Sequence, residues 1–68
     1  MPNYEITIFN EKVRKLVSEG DSHKRYTDDW GDSHYIEYHA EDEQHAVAKC
    51  RQRYPAEEGF VIEAVNVA

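Results

Sequence analysis

Within the stretch WGDSHY, Trp30, Asp32, His34 and Tyr35 bring an aromatic wall, a carboxylate, an imidazole and a phenol into one short segment. A His–Asp pair against an aromatic wall is suited to general acid–base work. The same set could line a small-molecule site. Glu37 and His39 follow, two residues apart, which puts both on one face of a strand at about 7 Å separation. With Asp32 or His23 from the preceding loop they could assemble a nitrogen/oxygen metal site. His34 and His39 are odd-spaced on a strand, so they face opposite ways and cannot chelate as a simple pair. Each of these readings has a plainer competitor: a capped, hydrogen-bonded structural histidine for His34, and a solvated sheet face for Glu37 and His39. The single cysteine, Cys50, could be a nucleophile with a histidine as base. Its i, i+3 relation to Val47 instead places it on a buried helix stripe, where a thiol acts as a small, inert hydrophobe. No catalytic residue and no resident metal or cofactor is expected.

Charge narrows the classes of partner. Eight Lys and Arg stand against fourteen Asp and Glu, for a net charge of −6. A chain that neutralises phosphates needs the opposite sign, so nucleic acid is disfavoured as a partner. The aromatics Tyr26, Trp30 and Tyr35 lack the basic stripe that stacking on single strands calls for. From Tyr26 to Ala48 there is no Lys or Arg, while Asp28, Asp29, Asp32, Glu37, Glu41, Asp42 and Glu43 are all acidic. That run predicts an acidic side able to steer a basic partner or a cation. There is no bilayer-length apolar run and no signal-peptide core, and one lone thiol suits a reducing compartment. A cytoplasmic location is expected, with no membrane partner. Walker, GxGxxG, GxSxG, HExxH and EF-hand patterns are all missing from the chain.

These residues must be positioned by a small scaffold. Sixty-eight residues allow one domain, spanning 1–68. A chain of that size buries roughly 60% of its unfolded surface, which leaves self-association as an easy source of extra stability. Asn3 to Phe9, NYEITIF, alternates as a strand, with Tyr4, Ile6 and Ile8 toward the core and Glu5, Thr7 and Phe9 away from it. Asn10 reads as an N-cap for a short helix with Val13, Leu16 and Val17 as its stripe, stopped at Gly20. Asp21 to Ser33 has no period and is long for a connection. His34 to Ala40 is a second strand, with His34, Ile36, Tyr38 and Ala40 on one face and Tyr35, Glu37 and His39 on the other. Asp42 caps a second helix with Val47, Cys50 and Tyr54 as its buried stripe and Ala46 beside it, and Pro55 ends it. Phe60 to Val67 is a nearly continuous apolar strand, as suits one covered on both faces.

The expected fold is α+β: a small two-layer sandwich in β-α-β-α-β order, with a three-stranded mixed sheet and two helices on one face. The alternative is β-β-β-α-β, with residues 13–18 as a strand. The run A-x-D-E-x-x-A-x-x-x-C followed by YP and an apolar strand resembles a pattern of small α+β domains; it is fold grammar and implies no functional residues. Two helices on one face would leave an open sheet face with apolar residues on it, and such patches mark interfaces. The leading expectation is therefore a non-enzymatic protein-interaction or regulatory module, working through a protein partner or self-association. The alternative is a small-molecule or metal-binding protein. The candidate ligand- or partner-binding residues are Trp30, Asp32, His34, Tyr35, Glu37 and His39.

Overall fold

The computed structural model describes residues 2–68. Strand β1 (Asn3–Asn10) leads directly into helix α1 (Glu11–Ser18); β2 (His34–His39), α2 (Glu43–Arg53) and β3 (Phe60–Val67) follow. Short 3₁₀ turns lie at Asp28–Gly31 and Ala56–Glu58.

Local chemistry explains where the elements begin and end. Asn10 is fully buried and works in three directions. It ends β1, its side-chain oxygen accepts from Val13 N at 3.0 Å to cap α1, and its amide donates to the Glu58 carbonyl at 3.0 Å. Gly59, at φ +101°, sits against it, and a Cβ there would meet the Asn10 oxygen at 2.7 Å. At the far end of α1, Gly20 adopts φ +78°. Its N–H reaches the Val17 carbonyl and Asp21 N reaches that of Leu16, the paired bonds of a Schellman stop. Residues 13–18 are thus helical and not a strand. Asp42 caps α2 by accepting from His45 N at 2.8 Å.

The sheet order is β2-β1-β3, and β1 is antiparallel to both neighbours. This corrects the expected mixed sheet. Helix α2 carries the chain back, so β3 runs in the same direction as β2, but β1 lies between them and no parallel pair is hydrogen-bonded. The expectation of two helices on one face also fails. Helix α2 lies on the face that carries Ile6 and Ile8, with Ala46 and Cys50 its most buried residues and Val47 and Tyr54 flanking them. Helix α1 packs chiefly on the 3₁₀ turn at Asp28–Gly31. Its Arg14 guanidinium lies 3.6 Å over the ring of Phe9, a residue of the opposite face.

β3 resolves a choice that alternation alone left open. The pairing with β1 shifts at Thr7/Ile8, giving Ile8↔Ile62 on one side of the bulge and Thr7↔Ala64 on the other. One extra residue reverses the alternation. Phe60, Ile62, Val65 and Val67 therefore share the helix side with Ile6 and Ile8, whereas Val61, Ala64 and Asn66 face away. The loop before β2 closes over the helix side as well. Trp30 packs edge-on to Phe60 at 5.3 Å and lies 5.2 Å from Tyr54, while Tyr26 meets Phe60 at 5.1 Å.

Candidate functional site

The helix-free face of the sheet collects Glu5, Thr7 and Phe9 from β1, Tyr35, Glu37 and His39 from β2, and Val61, Ala64 and Asn66 from β3. The β1–β2 register places Glu5 opposite Glu37, Thr7 opposite Tyr35 and Asn3 opposite His39. Ala40 N bonds to the Pro2 carbonyl, so the bonded pairs are the even-numbered β1 residues. Glu5–Glu37 and Thr7–Tyr35 are therefore non-hydrogen-bonded pairs, whose side chains approach more closely. Two like charges in that position repel, by a few tenths of a kcal/mol to about 1 kcal/mol. Nothing in the fold requires the repulsion.

Beside this pair, Tyr35 is 68% exposed although it stands within a strand. Thr7 below it is nearly covered. Glu63, at the bulge, accepts from Ser33 Oγ at 2.6 Å. The Arg14 guanidinium at this face is engaged: it lies on Phe9, and its Nε donates to the Gly31 carbonyl at 2.7 Å. The face thus carries an exposed phenol, two opposed carboxylates and a bridged third.

The six candidate residues fall in three places. Trp30 and His34 share the helix side, their rings stacked at 4.3 Å and 29°. His34 Nε2 donates to the Asp29 carbonyl at 2.8 Å, so its partner is backbone and not Asp32. Asp32 instead lines a cleft of about 260 Å³ with Arg14, Val17, Asp28, Asp29 and Gly31. Tyr35, Glu37 and His39 occupy the helix-free face, where His39 Nδ1 donates to the Asn3 side-chain oxygen at 2.7 Å. Trp30, Asp32, His34 and Tyr35 do not converge on one pocket. Among the described residues, no group of three or more His, Cys, Asp or Glu side chains is placed to hold a metal.

The acidic run is similarly divided. Asp28, Asp29 and Asp32 border the cleft at the start of β2, Glu37 lies on the sheet face, and Glu41, Asp42 and Glu43 surround the start of α2. Cys50 is buried, and burial pushes its thiol up from the ordinary value, which keeps it protonated and unreactive. The Tyr38 hydroxyl is enclosed beside it, without a hydrogen bond of good geometry. Burial, followed by the neighbouring Cys50, pushes that phenol up to about 12.

Sequence reasoning missed Arg14 and the Ser33–Glu63 bridge. The Phe9-to-Arg14 spacing across a cap held a faint signal for the first. The second joins residues from distant parts of the chain and left none. Among the described residues, no helix is long and apolar enough to cross a membrane. No family model matches the chain, and no curated protein or solved structure is similar enough to carry a comparison.

Proposed function

We propose that this protein is a non-enzymatic interaction module that binds a basic protein segment on the helix-free face of its sheet. The observation that carries the reading is the opposed Glu5–Glu37 pair beside the 68% exposed Tyr35. A Lys or Arg side chain laid between the two carboxylates would relieve their repulsion, and its partner residues would stack on Tyr35. A net charge of −6 draws such a segment in over longer range. The cytoplasm suits a chain whose one thiol is buried and unpaired. A nucleic-acid partner is disfavoured by the same charge.

The test is an NMR titration of the protein with an oligo-arginine peptide at low and high salt. Shift changes should centre on Thr7, Tyr35 and Glu37, weaken as salt screens the carboxylates, and vanish in Tyr35→Ala combined with Glu37→Gln. Shifts confined to the helix side, or none at any salt concentration, would sink the reading.

A further inference from the structure

β2 and β3 are both edges of a three-stranded sheet, and both run the backbone groups of alternate residues out toward solvent. They are guarded differently. On β2 the non-bonded pairing of His39 with Asn3 turns the His39 carbonyl outward, and Lys49 Nζ from α2 donates to it at 2.6 Å. Glu37 and His39 add charge and bulk to that edge.

β3 has eight residues, and Lys, Arg and Pro are all missing from 60–67. Ala68 N bonds to the Asn3 carbonyl, so Ala64, Asn66 and Ala68 point their backbone groups at β1. Val65 and Val67 point theirs outward. Glu63 is the one charge on the strand, and it is drawn back to Ser33. Val67 is 71% exposed.

We propose that β3 pairs, edge to edge and antiparallel, with β3 of a second copy, about a two-fold axis at Asn66. In that register Val65 of one copy lies opposite Val67 of the other, and each pair exchanges both of its N–H···O bonds. Valine meets valine on the helix side, and Asn66 faces its symmetry mate on the other. The row is self-complementary, as an isologous two-fold contact must be. Charge selects where two copies can meet. Two copies at −6 repel over most of their surfaces, and the uncharged 64–67 edge is where they can approach closely. The joined sheet would have six strands, with both α2 helices on one side. So short a contact makes a weak, concentration-dependent dimer.

The experiment is sedimentation equilibrium of the intact protein over a wide concentration range at two salt concentrations. The mass should rise from 8.0 kDa toward twice that value. Added salt should strengthen the dimer, the opposite of its effect on a basic peptide. Val67→Pro removes an outward N–H while leaving the β1 ladder whole, and Val67→Lys places a charge on the edge. Each should weaken the dimer about tenfold or more with an unchanged circular dichroism spectrum. Asn66→Cys should oxidise to a linked dimer, since the two Cα atoms of a non-bonded pair lie within disulfide reach. A strict monomer at every concentration and salt overturns the proposal. So does a dimer that survives both Val67 variants and yields no Asn66→Cys cross-link. Tyr35→Ala leaves the dimer intact, so this inference and the peptide reading fail separately.

Discussion

The two faces of the sheet are built from the same three strands and do different work. On the helix side Ile6 and Ile8 are fully enclosed and Phe60 nearly so, beneath α2 and a ring of Tyr26, Trp30 and Tyr54. Two of its polar residues are used structurally: His34 stacks on Trp30 and donates to backbone, and Asn10 satisfies both ends of its amide. On the other face a phenol stands in solvent beside a pair of opposed carboxylates. The difference teaches that one face carries the stability of this small chain, which leaves the other free to hold charges the fold does not need.

The largest effect should come from trading one substitution across the sheet. Ile8→Ala empties a fully buried site and should cost about 3 kcal/mol, whereas Tyr35→Ala should change stability by about 0.5 kcal/mol or less. Urea unfolding of the two variants measures both. Similar losses would erase the distinction between the faces.

A smaller effect should appear at alkaline pH, from the helix side. The Tyr38 phenol is raised from 10.0 to about 12 in the folded chain. Its contribution is therefore fully present below the unfolded value and is lost as pH rises through the folded one. The raised Cys50 thiol acts in the same direction. Urea midpoints should fall as pH climbs past that of an ordinary phenol, and Tyr38→Phe should flatten the fall. Because the Tyr38 hydroxyl lacks a good partner, that variant should lose little stability at neutral pH. A profile identical in Tyr38→Phe would remove this residue from the account.

The smallest effect tests the repulsion on the exposed face. Glu37→Gln should raise stability by about 0.5 kcal/mol at low salt and by less at high salt, read from thermal unfolding. A variant no more stable than the parent at low salt would mean that Glu5 and Glu37 do not strain the sheet.

Much of the fold was legible residue by residue. Asn10, Gly20, Asp42 and Pro55 each mark a boundary through bonds or clashes within a few positions, and alternation alone separated Ile6 and Ile8 from Glu5 and Thr7. The site was legible only in part. Tyr35, Glu37 and His39 were on one strand face from the start, but Trp30 and His34 joined the packed side, and Asp32 went to the cleft. Arg14 gave little sign, because its partners Phe9 and Gly31 lie across a cap and across a loop.

By itself, then, the sequence determined the elements, their caps and the two faces of β1 and β2. Those depend on neighbours two to four residues away. The tertiary structure decided that β1 sits antiparallel to both partners, that Glu5 meets Glu37, and that a bulge at Glu63 turns Val65 and Val67 to the helix side. Register and bulges are settled by which strand competes best for a given edge and face, a choice made between segments far apart in the chain.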